Sequence, residues 1–249
     1  MKKLLLLLLS LSLFTSCKLK EEITFNEDGT GNYDLVIDMS GLMAMGKGMG
    51  KELDSTKVEK EPVVTDTIIK ISDMLAEKKD SIAKLSKEKR EMFEKMKDFS
   101  IKIHVDEPNE KMLMSYSYPF KTIKDLNYAM ENIETISKMQ KDSLSPMGDI
   151  SSSIPKNNVK YKFSKHEFMR IATASETDKK KDEEEKKDEK FEQMANMFQF
   201  ELVYHFPRRI KSVSYKDALL SADGKTLHIN VPTSKLNDPE FMNLKVTFE

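Results

Sequence analysis

ITFNEDGTGNYDLVIDM, residues 23–39, alternates apolar and polar side chains on both sides of a turn. Ile23 and Phe25 share one face of the first segment, and Tyr33, Leu35 and Ile37 share one face of the second. Successive side chains of an extended chain point to opposite faces, so this alternation marks strands with one buried side. Between them Asp28-Gly29 favours a tight reversal, because glycine takes positive φ without steric cost. A β-hairpin is the expected outcome.

The same pattern recurs outward from this stretch. Phe99, Ile101, Ile103 and Val105 alternate before Glu107-Pro108-Asn109-Glu110, and Met112, Met114, Tyr116 and Tyr118 alternate after it. Val159, Tyr161 and Phe163 open a third hairpin, with residues 168–172 returning. Near the C-terminus Phe200, Leu202 and Tyr204 alternate up to Phe206-Pro207-Arg208-Arg209-Ile210. Ala222-Asp223-Gly224-Lys225 then turns into a strand over 226–231, and Leu244, Val246 and Phe248 form the last strand.

Two regions carry helical spacing instead. Ile68, Ile71, Leu75, Ile82, Leu85, Met92 and Met96 fall three, four or seven apart, without Gly or Pro between them. They predict one long amphipathic helix over 65–97, about 50 Å at 1.5 Å per residue. Ile123, Leu126, Met130, Ile133 and Ile136 predict a second over 123–139. The expected fold class is therefore α+β: an antiparallel sheet built from hairpins, packed by two or three helices including the long one. A single domain is expected over 23–249. Residues 143–158 hold two prolines and five serines without a period and read as a mobile loop. Residues 176–190 hold eight acids and six lysines, and with the adjoining 174–175 read as a solvated, flexible charged segment.

The N-terminus states an address. Lys2 and Lys3 precede an apolar run, Leu4 to Leu9 continuing through Leu11, Leu13 and Phe14. That run is too short to span a hydrocarbon core of roughly 30 Å and suits a secretory signal peptide. Residues 1–16 are expected to be that peptide. Phe14-Thr15-Ser16-Cys17 resembles the lipobox of bacterial lipoproteins, and Cys17 is the chain's single cysteine. The resemblance implies lipidation of Cys17, which becomes the first mature residue. More than one acyl chain is needed for stable attachment, and a lipoprotein cysteine carries two or three. Lys18-Leu19-Lys20-Glu21-Glu22 is similar to the lysine-then-acid tether of Bacteroidota-type outer-membrane lipoproteins; as an alternative, it reads as a charged first strand. The outer membrane is the expected location, surface-exposed or periplasm-facing.

Charge is balanced, 41 basic against 42 acidic residues for a net of −1. Nucleic-acid binding leaves a basic patch or stripe, and this balance argues against it. No catalytic motif emerges: there is neither a G-x-S-x-G elbow nor a P-loop, and Gly46, Gly48 and Gly50 lack the Lys-Ser/Thr that a phosphate cradle needs. Met39, Met43, Met45 and Met49 could offer soft thioethers to Cu(I), but no His or Cys reinforces them, and gap-filling is the expected role. His104, His166, His205 and His228 are scattered, with no metal-ligand spacing. Arg208 and Arg209 could clamp an anion, or simply flank a proline on an edge strand. No enzyme activity, cofactor or metal is expected.

Phe25-Asn26-Glu27-Asp28-Gly29-Thr30-Gly31, residues 204–210 and the Asp223-Gly224-Lys225-Thr226 turn resemble bacterial lipoproteins of the LppM type. The resemblance covers the two ends of the domain and implies a lipid-anchored α+β domain with an antiparallel sheet; it brings no site residue. The expected function is a lipid-anchored envelope protein with a non-enzymatic interaction or structural role, its partners the membrane and an envelope protein. The alternative is a binding module for a lipid or other apolar ligand, in a cavity lined by Met43, Met112 and Met114.

Overall fold

The computed structural model describes residues 17–41, 43, 63–139, 158–173, 198–232, 235 and 238–249. The expected signal peptide over 1–16, most of the Met-rich segment, all but the last residue of the expected 143–158 loop and the charged 176–190 run lie outside these residues.

The expected opening hairpin forms from β1 (Cys17–Phe25) and β2 (Gly31–Asp38). Gly29 sits at φ 86° in its turn, and Asp28 accepts from the Thr30 amide at 3.0 Å and hydroxyl at 2.7 Å. Gly31 has a separate reason to be glycine: a Cβ there would collide with the Thr24 carbonyl oxygen and the Phe120 ring. The second hairpin is β4 (Ser100–Asp106) with β5 (Lys111–Phe120), and the third is β6 (Asn158–Phe163) with β7 (Glu167–Thr173). The remaining strands are β3 (Val64–Lys70), β8 (Phe198–His205), β9 (Ile210–Val213), β10 (Leu219–Leu220), β11 (Thr226–Val231) and β12 (Leu244–Phe248). They make an eight-stranded sheet, β10-β11-β8-β1-β2-β5-β4-β3, and a four-stranded sheet, β6-β7-β12-β9.

Two expectations fail here. The larger sheet is mixed, not antiparallel, because β1 and β8 run parallel, with Cys17 opposite Phe198 and Ile23 opposite Tyr204. The helix over 65–97 does not exist as one element, and the described chain is mostly β-sheet rather than α+β. Its first part is strand β3, antiparallel to β4. The rest divides into α1 (Ile71–Glu77), α2 (Lys79–Ala83) and α3 (Lys87–Lys95). The causes are local. Val64, Thr65, Thr67, Ile68 and Ile69 are β-branched, which stiffens χ1 and favours the pleated surface over a helix. Ser86 adopts φ −57°, ψ 152° and its side chain accepts from the Lys89 amide, an N-cap that starts α3 anew. The second helix is found where its spacing places it, as α4 (Ile123–Met139).

One core lies between the layers. Leu19, Ile23 and Phe25 from β1, Tyr33, Leu35 and Ile37 from β2, and Phe200, Leu202 and Tyr204 from β8 face the smaller sheet, which contributes Tyr161, Phe168, Leu244, Val246 and Phe248. Across the gap Phe25 stacks on Phe163 at 4.3 Å between centroids, Phe168 meets Tyr204 at 5.0 Å and Phe206 meets Phe248 at 4.9 Å. Helix α4 packs beside β6 of the smaller sheet with Leu126 and Ala129 in this core, and Met92 and Phe93 of α3 are buried as well. The Tyr118 hydroxyl donates to the Lys95 carbonyl at 3.3 Å, tying α3 to β5.

Candidate functional site

Cys17 is the first residue of β1, and β1 lies inside the larger sheet, flanked by β8 and β2. The residues that resemble a tether, Lys18 to Glu22, are therefore strand. Lys18 pairs with Asp38 and Gln199, and Glu22 with Asp34 and Val203. Alternation along β1 sends Leu19, Glu21 and Ile23 into the core and Lys20 and Glu22 to the outer face.

Glu21 is thus an acid on an apolar face, and the fold answers it. Arg170, two positions from Phe168 on β7 and equally inward, donates Nε to Glu21 Oε1 at 3.0 Å and Nη2 to Oε2 at 2.9 Å. The Tyr161 hydroxyl donates to Oε1 at 2.9 Å and the Tyr204 hydroxyl at 2.5 Å. Arg170 Nη1 donates to the carbonyl of Met242, the last residue of α5 (Pro239–Met242), at 2.9 Å. The two charged side chains are 5% and 2% exposed. Two parallel N–H to carboxylate bonds are the geometry in which arginine binds a carboxylate most strongly.

The electrostatics follow from burial and pairing. Burial pushes the Glu21 carboxyl up, but the Arg170 charge and the hydrogen bonds from Arg170, Tyr204 and Tyr161 outweigh it, so Glu21 is held below the usual carboxylate range. Burial and then the Glu21 charge push Tyr161, Tyr204 and Tyr33 well above the ordinary tyrosine value. The carboxylate is ionised, the phenols are neutral donors, and both carboxylate oxygens are occupied by protein donors. The arrangement clamps the larger sheet to the smaller one.

On the outer face of the same strand Glu22 accepts from Lys20 at 2.6 Å and pairs with His205 Nε2 at 2.8 Å. His205 Nδ1 lies 3.1 Å from the Thr226 hydroxyl. Burial raises the Glu22 carboxyl, and the bonds from Lys20 and His205 bring it below the usual range.

The other residues singled out from the sequence stay apart. His104 pairs with Asp66 at 2.8 Å and His228 with Glu201 at 3.5 Å, each on its own strands, while His166 lies in the β6–β7 turn. Among the described residues no group of three or more His, Cys, Asp or Glu is placed to hold a metal. Arg208 donates to the Lys165 carbonyl at 2.9 Å, and Arg209 lies 3.9 Å from the Glu249 carboxylate, so the arginine pair is divided between two partners. Met114 is buried in the core, with Met112 packed at its margin; Met43 is half-buried and its amide donates to the Met39 carbonyl.

Sequence reading missed the Glu21 cluster, although its signal was present. Glu21 falls in phase with Leu19, Ile23 and Phe25, and Arg170 in phase with Phe168 and Ala172. Two opposite charges, each at an inward position of a strand, are the signature of a buried pair.

Comparison with known proteins adds little to this geometry. No family profile matches the chain, and no curated protein matches it. Among solved structures, the chain is similar to the folded domain of the Mycobacterium tuberculosis LppM protein, solved by NMR. The identity is 8% and the TM-score 0.37, over 96% of this chain and 94% of that one. It is the protein type that residues 25–31 and 204–210 resemble, yet a likeness this distant carries no argument about function. No helix among the described residues is long and apolar enough to cross a membrane.

Proposed function

We propose that this protein is a lipid-anchored component of the bacterial outer membrane, attached through Cys17, with a non-enzymatic structural or interaction role. The observation that carries the reading is the place of Cys17 in the fold. A lipid there meets the domain with no spacer: the next residue is already paired in the sheet, and the fourth after it, Glu21, is locked to Arg170 in the core. An anchor at this point holds one end of the domain against the bilayer surface and fixes its orientation. The resemblance of residues 14–17 to a lipobox supplies the chemistry, and two or more acyl chains supply the strength. The non-enzymatic role is supported by the one buried charged cluster among the described residues, whose acid is fully engaged in joining two sheets.

The test is metabolic labelling with an alkyne fatty acid, followed by fractionation of wild-type and Cys17→Ala cells. Wild type should carry label and sediment with outer membranes; the variant should lose the label and leave the membrane fraction. Retention of unlabelled variant in the membrane would contradict the anchor. Protease shaving of intact cells then assigns the leaflet: released peptides from 176–190 place the domain on the cell surface, and full protection places it towards the periplasm.

A further inference from the structure

The two sheets have four edge strands, and three of them are closed off. β10 is only two residues long and β9 only four. β6 is covered by α4, whose Asn127 amide donates to the Tyr161 carbonyl at 2.9 Å and accepts from the Tyr161 amide at 2.7 Å. Among the described residues nothing shortens or covers β3, which carries only the two charges of Asp66 and Lys70. It runs seven residues without proline or bulge, pairs with β4 in one unbroken register, and is exposed on both faces. Val64 and Ile68 are each 58% exposed. Long, flat, apolar edges are the ones that natural sheets shorten, charge or cover, because they template pairing with another strand.

The open edge has a definite chemistry. The Val63 carbonyl accepts from the Glu107 amide, and the Ile71 amide donates to the Phe99 carbonyl, so odd-numbered residues of β3 turn their backbone towards β4. Alternation in an antiparallel ladder then turns Asp66, Ile68 and Lys70 outward. No described residue bonds the outward backbone groups of Asp66 or Ile68. These same three side chains lie on the outer face of the sheet, where Asp66 already meets His104.

The geometry points to a second copy of this chain as the occupant of that edge, paired antiparallel through β3. With Ile68 opposite Ile68 of the second copy at the two-fold axis, Asp66 of each copy lies opposite Lys70 of the other. Every pair then joins two outward-facing residues, as the ladder requires, and the row reads His104, Asp66, Lys70 on each side. Cross-strand β-branched and opposite-charge pairs each contribute about 0.2–1 kcal/mol, and like charges opposite one another oppose pairing. Sliding by two residues loses this: one shift puts Asp66 opposite Ile68, and the next puts Asp66 opposite itself. The pairing joins two eight-stranded sheets into one continuous sheet. Five residues of strand bury far less than the ~1,200–2,000 Å² of a tight complex, so the association is weak and cross-linking is the way to read it.

The experiment uses the full chain in its native membranes, with Ile68→Cys oxidised by copper–phenanthroline and the wild type as background, its one cysteine, Cys17, being a thioether once lipidated. Facing residues of a hydrogen-bonded antiparallel pair are about 5.5 Å apart at Cα, within disulfide reach. Ile68→Cys should give a cross-linked species of twice the chain mass above background. Asp66→Cys alone should not, since four residues of offset separate the two thiols by about 13 Å. Adding Asp66→Lys to Ile68→Cys should cut the dimer several-fold, and adding Lys70→Asp as well should restore it. All these positions are on an exposed strand, so folding is kept and is checked by circular dichroism. Absence of the Ile68→Cys dimer, a dimer indifferent to the charge exchange, or an adduct whose mass is not that of two chains would overturn the pairing.

Discussion

Glu21 and Glu22 are neighbours on one strand, and they live in opposite worlds. Both accept from a cation and from a second side chain, and both are held below the usual carboxylate range. Glu21 does so in the core against Arg170, Tyr161 and Tyr204; Glu22 does so on the outer face against Lys20 and His205. Similar bonds have different consequences in the two places. Water can replace any partner that Glu22 loses, whereas a partner lost from Glu21 leaves a charge in a medium that cannot solvate it.

The sharpest way to break this comparison is Arg170→Met. It strands the Glu21 carboxylate, and breaking a buried pair from one side costs about 3–5 kcal/mol. The chain has no tryptophan, so urea unfolding followed by circular dichroism or tyrosine fluorescence is the measurement. Glu21→Leu with Arg170→Leu removes both charges, and should recover much of that loss, because two well-packed apolar side chains replace a buried pair at little cost. If the double variant is as unstable as the single one, the pair contributes more than charge compensation.

Acid gives the next largest effect. A carboxyl lowered in the folded state contributes stability that is complete above its ordinary value and is lost as the pH falls through its lower, folded value. The unfolding midpoint should therefore drop on the acid side of the usual carboxylate range, and the Glu21→Leu/Arg170→Leu variant should show a shallower drop. An unchanged slope would assign the acid sensitivity to exposed acids such as Asp28 and Asp223, which are also held low by local hydrogen bonds.

Tyr204→Phe deletes one donor to a buried charge and should cost about 1.5–3 kcal/mol, with Tyr161→Phe in the same range. Removing both tests whether the two phenols act together, since neighbours in one network are not additive. At the small end Glu22→Gln should change stability by about 1 kcal/mol, as pairs within reach of water do. A loss as large as that of Arg170→Met would erase the distinction between the two faces.

How much of this was readable from residues alone depends on the distance over which each feature is decided. The hairpins at 23–39, 99–120 and 159–172 were legible because alternation and turn chemistry are local. Helix α4 was legible for the same reason. β3 was not: Ile68, Ile71 and Leu75 fit a helical period, and only β-branching at 64–69 spoke for strand. β1 was legible from Ile23 onward, while over Lys18–Glu22 the strand was only the alternative to a tether, because four charged residues there hide the alternation of Leu19, Glu21 and Ile23. Nothing near β1 in sequence announces β8 as its parallel neighbour, so the mixed sheet was out of reach. The Glu21 cluster needs four strands, β1, β6, β7 and β8, to be aligned before its members can be seen as partners.

The place of β1 also sets a timetable. Its first neighbour, β2, follows after one short turn, but Arg170 comes 149 residues after Glu21 and Tyr204 comes 183 residues after it. During synthesis the leading hairpin must wait with the β8-facing edge of β1 unpaired and an ionised acid on the side destined for the interior. That acid keeps the waiting surface wetted, which disfavours premature collapse. The larger sheet closes only when the C-terminal third arrives, so truncation from that end should leave the β8-facing edge of β1 permanently unpaired.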